Sequence, residues 1–180
     1  QGNVELLERL VAPHGIQLRT VPPVMAAGEK ISSSRIRAAV ASGKLSQAAQ
    51  MLGRPYTIAG VVAHGAGIAT AKLQTPTANL ADERLQLPPY GVYAARTTVE
   101  QGEPFPGIVY IGEAPTLRGL GNGHPVVELH LFDFQGNLYG KKIRVEPVRF
   151  LRESLLFPNP EALRNQIRLD IAAARDALQK

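Results

Sequence analysis

Val126-Val127-Glu128-Leu129-His130-Leu131-Phe132-Asp133-Phe134 decides the fold class of this chain. Val127, Leu129 and Leu131 fall on one face of an extended segment and Glu128 and His130 on the other, the period of a half-buried β-strand. Similar runs recur at Tyr56–His64, Gly91–Val99, Gly107–Ile111 and Lys141–Val148, with no helical pattern between them. Short strands at such spacing argue for an antiparallel sandwich or barrel, and the 17 glycines and 14 prolines suit its turns and corners.

The flanks read differently. Val4–Val11 carries apolar residues at helical spacing and is stopped by Pro13-His14-Gly15. Ile16–Val21 alternates as a half-buried strand should and ends at Pro22-Pro23. The serines at 32–34 can cap a helix through about Ala41, with Gly43 as its stop, and a short helix from about Ser46 to Leu52 ends at Gly53. At the far end, Asn159 is a good N-cap, Pro160 suits the first helical position and Glu161 favours the positive end of the helix dipole. Leu163, Ile167, Ile171, Ala174 and Leu178 form its apolar stripe, expected against the sheet, and Arg164, Arg168 and Arg175 its solvated side. The expected division is 1–54, mainly helical, and 55–180, mainly β.

Composition bounds the function. At 180 residues the chain can bury a sizeable core, and no apolar run approaches the ~20 residues of a membrane span. There is no cysteine, which removes disulfides, thiolate metal sites and cysteine nucleophiles and fits a cytoplasmic protein. A net charge of +5 suits phosphorylated small molecules. With 6% aromatics, no Trp and dispersed basic residues, nucleic acid is the weaker reading.

The chemistry concentrates in two places. In Pro76-Thr77-Ala78-Asn79, proline pushes Thr75 toward an extended backbone, and Thr77 and Asn79, two apart, then share a face. Each offers a neutral oxygen to a hard cation such as Mg²⁺. Glu128 supplies a carboxylate for a proton. Together these make a phosphoryl-transfer set. The same tetrapeptide also suits a plain turn, and a Glu in an alternating strand ordinarily faces water.

Several stretches in register resemble the riboflavin kinase family: Gly60–Gly65, Pro76–Leu80, Pro89–Ala94, Ile111–Thr116, Glu128–Phe134, Leu138–Lys141, and a tail from Leu151-Arg152-Glu153 through Phe157, Leu163, Ile167 and Asp170. The likeness covers roughly residues 55–178. Upstream, Val21–Val24 and Ile31–Arg37 resemble the end of the FMN adenylyltransferase domain that precedes the kinase in bacterial bifunctional enzymes. That makes 1–54 a remnant of an α/β nucleotidyltransferase domain, and adenylyl transfer is not expected from this chain alone. The resemblance implies a six-stranded antiparallel Greek-key barrel with a C-terminal helix. It also implies transfer of the ATP γ-phosphate to the 5′-hydroxyl of riboflavin, giving FMN and ADP. Thr77 and Asn79 would bind Mg²⁺ and ATP phosphates, Glu128 would be the general base, and the amides at Gly65 and Gly67 would approach phosphate. Arg152 would serve the flavin side. Membranes are not expected as partners, and there is room for weak self-association.

The chain departs from the family between Gly67 and Pro76. Ile68–Thr75 is one residue longer than expected and lacks two glycines, whose absence narrows the dihedrals and the space beside a phosphate. Lys72 is a candidate phosphate contact there. The family's Asn before Ile-Gly is Tyr110 here. These changes bear on ATP binding rather than on fold, so the alternative is a non-catalytic flavin-binding module with a drifted phosphate loop.

Overall fold

The computed structural model describes residues 3–63, 78–81, 86–113 and 125–179. The chain divides into two compact units, with the boundary between Ser33 and Ser34.

In the first unit, helix α1 (Val4–Val11) is capped by Asn3, whose Oδ1 accepts from the Leu6 amide at 2.8 Å. A single 3₁₀ turn, Ala12–His14, follows and ends at Gly15 with φ 67°. The strand expected over Ile16–Val21 does not form: these residues are exposed, Val21 at 84%. Alternation confers nothing without a neighbouring strand to complete the backbone hydrogen bonds, and Pro22-Pro23 offers no donors to extend one. The ladder that does form is short, β1 (Met25–Ala26) with β2 (Glu29–Lys30). Ala27 and Gly28 between them take φ of 53° and 78°, the left-handed pair that tight hairpins require.

The second unit begins one residue into α2 (Ser33–Ala41) and continues with α3 (Leu45–Leu52), both close to the expected spans, with Ala39, Val40, Ala48 and Met51 buried. Six strands then close a barrel in the order β3-β4-β7-β6-β5-β8, every pair antiparallel. They are β3 (Ile58–Ala63), β4 (Ala78–Ala81), β5 (Gly91–Val99), β6 (Pro104–Glu113), β7 (Pro125–Leu131) and β8 (Lys142–Arg152). Strands β5, β6 and β7 form a meander and β8 returns beside β5, which is the Greek-key order. The run read as continuing to Phe134 stops at Leu131, because Asp133 turns to φ 57° and leaves the ladder. Pro147 is accommodated where the β5–β8 register shifts between Ala94 and Ala95, a bulge that spares the ladder a missing donor.

Alternate residues fill the interior: Ile58, Val62, Leu80, Tyr93, Val109, Ile111, Val127, Leu129, Ile143 and Val145 are buried in one cluster. Tyr93 and Tyr56 donate their hydroxyls to the carbonyls of Pro89 and Gln86, fixing the approach to β5. Burial pushes the Tyr93 phenol up to about 12, so it remains a donor.

Helix α4 (Pro160–Leu178) starts at its expected cap, with Asn159 Oδ1 accepting from the Ala162 amide at 2.8 Å. It lies on the outside of β5 and β6, packing Ile171, Ala174 and Leu178 on Ala94, Ile108 and Phe132. Arg96 donates to the Leu178 carbonyl at 3.0 Å, a cation at the negative end of the helix. Arg175 is exposed, on the solvated side as expected, where it pairs with Asp133 at 3.0 Å and stands 4.8 Å from the Phe132 ring centroid. Among the described residues no helix is long and apolar enough to cross a membrane.

Candidate active site

Strand parity sorts the candidate side chains. Val62, Leu80, Val127 and Ile111 are register partners across β3, β4, β7 and β6, and all face the core. So are Ala78, Leu129, Val109 and Tyr93, one step further along. The row between them must point out of the barrel. It reads Ala63, Asn79, Glu128, Tyr110, Val92 and Arg152, each the direct partner of the next.

Asn79 and Glu128 are thus opposite one another on adjacent strands, with Cβ atoms about 5 Å apart by the geometry of such pairs. Both are half-buried. Burial holds the Glu128 carboxyl above the usual carboxylate range, since desolvation disfavours the charged form. Among the described residues no side chain donates a hydrogen bond to it. A carboxylate so placed is a proton acceptor with a neutral oxygen donor beside it. Among the described residues no group of three His, Asp or Glu could hold a metal ion; at this pair the neutral side-chain oxygen of Asn79 is a donor that a hard cation can take.

At the other end of the row, Arg152 turns toward α4. Its Nε and Nη2 meet the Asp170 carboxylate at 2.9 and 2.7 Å, and Nη1 donates to the Glu153 carbonyl at 2.9 Å. Gln166 adds a bond to Asp170 at 3.0 Å. Asp170 is 3% exposed, so this forked pair ties the end of β8 to the middle of the helix.

The family model for flavokinase, that is riboflavin kinase, matches residues 52–178. This chain belongs to the riboflavin kinase family. Among curated relatives it is 37% identical over 174 residues to the bifunctional riboflavin kinase/FMN adenylyltransferase of Pseudomonas fluorescens, covering 97% of this chain and 55% of that protein. The enzyme of the same name from Haemophilus influenzae is 35% identical over 175 residues, covering 97% of this chain and 56% of its own. The chain therefore spans about half the length of the curated relatives it matches. A crystal structure described as a macrolide-efflux protein from Streptococcus pneumoniae superposes with TM-score 0.70 at 30% identity, over 86% of this chain and 50% of that one. The crystal structure of riboflavin kinase from Trypanosoma brucei superposes with TM-score 0.53 at 23% identity, over 69% of this chain and 80% of that one, a likeness of fold.

Of the residues singled out from this riboflavin kinase family sequence, Asn79 and Glu128 come together and Arg152 lies at the far end of the same row. Gly65, Gly67, Lys72 and Thr77 lie outside the described residues. Sequence reading gave Asp170 no role, although a signal was present. Asp170 follows Ile167 by three and precedes Ala174 by four, which puts a carboxylate on the apolar side of its helix and calls for a buried cation.

Proposed function

We propose that this chain is the riboflavin kinase module of a bifunctional enzyme of the kind its relatives are named for. It would transfer the γ-phosphate of ATP to the 5′-hydroxyl of riboflavin, with Mg²⁺, yielding FMN and ADP. The observation that supports this most is the direct pairing of Asn79 with Glu128 on the outer face of the barrel.

In this reading Glu128 accepts the proton of the ribityl hydroxyl as it attacks phosphorus. Its raised pKa makes it the better base, because proton transfer to a carboxylate gains driving force as that pKa approaches the operating pH. Asn79 and Thr77 orient the nucleotide on the opposite side of the transfer. Mg²⁺ held by their oxygens would offset the negative charge of the phosphates, and such an ion commonly keeps several waters and takes few protein ligands. Amides at Gly65 and Gly67 and the Lys72 ammonium would complete the phosphate side. Arg152, committed to Asp170, would serve the flavin side through the segment it holds rather than by direct contact.

The test is FMN formation from riboflavin and ATP by the intact protein, with and without EDTA. Asn79→Ala should raise KM for the magnesium nucleotide, and Glu128→Gln should lower kcat. Riboflavin binding without turnover would instead favour the flavin-binding alternative.

A further inference from the structure

Tyr110 is the second register partner of Glu128, on the side away from Asn79. Its ring lies along β6 over Gly112, where a β-carbon would stand 2.3 Å from the phenol oxygen. Only glycine leaves that path open. The path carries the hydroxyl to Ser154, whose Oγ is 2.9 Å away, and within 3.3 Å of the Glu113 carbonyl, which accepts from it.

Ser154 belongs to the connector from β8 to α4, residues 153–159. The residue before it is also held, by Arg152 Nη1 on the Glu153 carbonyl at 2.9 Å. Past these two tethers stand Leu155 and Leu156, 53% and 101% exposed. Phe157 follows, half-buried, its ring centroid 5.7 Å from the Arg152 guanidinium carbon. The connector is therefore polar and anchored at its root, beside a neighbour of Glu128, and apolar at its tip. That profile fits a ligand with a hydroxylated chain and a flat apolar body. Riboflavin has this form, its chain hydroxyl bound for Glu128 and its tricyclic ring a few carbons away.

We propose that Tyr110 and Ser154 form a latch that fixes the connector against β6, on the strand that neighbours Glu128, and so sets affinity for the flavin, with Tyr110 as a positioning residue. The proposal rests on the kinase reading above. The phenol takes no part in the transfer itself, and its effect is on flavin binding.

Tyr110→Phe, Ser154→Ala and their combination, made in the whole protein, test this. Loss of one such hydrogen bond should raise KM for riboflavin roughly threefold to tenfold, with kcat within about twofold. Both substitutions remove the Tyr110–Ser154 bond, and Tyr110→Phe also removes the longer bond to the Glu113 carbonyl, so the double variant should be no worse than Tyr110→Phe alone. Ser154→Thr keeps the hydroxyl and should restore the wild-type KM. Riboflavin fluorescence quenching without ATP should give the same ratios in Kd. A wild-type protein that binds riboflavin yet makes no FMN would overturn the kinase reading, while these Kd ratios would still support the latch. Unchanged Kd in both single variants, additive losses in the double, or a loss confined to kcat would overturn the latch.

Discussion

Replacing Glu128 with Gln should make the protein more stable and less active at once. The side chain is half-buried, no described residue donates to it, and burial raises its pKa. A carboxyl whose folded-state pKa lies above its unfolded value binds its proton more tightly when folded. Its stabilising contribution is complete below the unfolded pKa and is lost as pH rises through the folded one. At neutral pH the wild-type protein therefore holds an ionised group that folding disfavours. An incompletely satisfied polar group costs about 1–3 kcal/mol when buried, and the partial exposure of Glu128 puts it at the low end, about 1 kcal/mol. For a chain of 180 residues that corresponds to roughly 2–4 °C in Tm. The gain should be present at pH 7, shrink on acidification, and vanish once the wild-type carboxyl is protonated in both states.

Activity moves the other way. Loss of a general base costs about 10²–10⁴-fold, and a loose phosphoryl-transfer transition state, with little charge developed on the nucleophile, favours the low end, about 2.7 kcal/mol. In the wild type, kcat/KM should fall as pH drops through the raised Glu128 pKa, and Glu128→Gln should lack that limb. Differential scanning calorimetry at two pH values, with FMN assays on the same samples, reads both effects. A variant less stable at pH 7 would mean that the carboxylate is paired with a cation, and one equally stabilised at both pH values would mean that folding does not disfavour its ionised form; either result would remove the raised pKa on which the base assignment draws.

Three further substitutions probe the frame. Asp170→Asn leaves the Arg152 guanidinium without its counter-charge in a site where the pair is 18% and 4% exposed; a loss of about 3 kcal/mol is expected in urea unfolding. Thr97→Val should be neutral or stabilising by up to about 1 kcal/mol in the same assay, because the buried Thr97 hydroxyl has no hydrogen-bond partner among the described residues and valine keeps its shape. Asn79→Asp places two carboxylates on facing positions whose Cβ atoms are about 5 Å apart; like charges so placed, screened because both side chains are only half-buried, should cost about 1 kcal/mol. That destabilisation should appear at neutral pH without divalent cation and be relieved by acidification.

Five of the six strands were legible from their own short alternating or β-branched runs; β4 was read only as an extended stretch after Pro76, and closure into a six-stranded barrel came from the family resemblance rather than from the pattern. The ends of strands were less legible: β6 begins at Pro104 rather than Gly107, β8 continues to Arg152 past the proline at 147, and β7 stops before Asp133. Those limits depend on bulges and on one positive φ, which adjacent strands impose. Ile16–Val21 shows the converse, a correct local pattern with no strand alongside it. Helix α4 announced its cap and stripe, yet the cation for Asp170 sits 18 residues earlier at the end of β8, a pairing that only the closed barrel brings about.

The encounter of Asn79 with Glu128 was not written in either motif, since 49 positions separate them in the chain, but it follows from the core once strand order is known. Leu80 must meet Val127 and Ala78 must meet Leu129 for the interior to close. With those contacts made, Asn79 has no other partner on β7 than Glu128. A slip of one residue would turn Asn79 inward and Leu80 out, at a cost of about 1.5–3 kcal/mol for the leucine alone and more for an amide buried without partners. The register of the site is therefore held by the hydrophobic residues on the opposite face of the same two strands. Volume changes at Leu80 or Leu129 that shift β4 against β7 should damage the outer pair before they unfold the barrel.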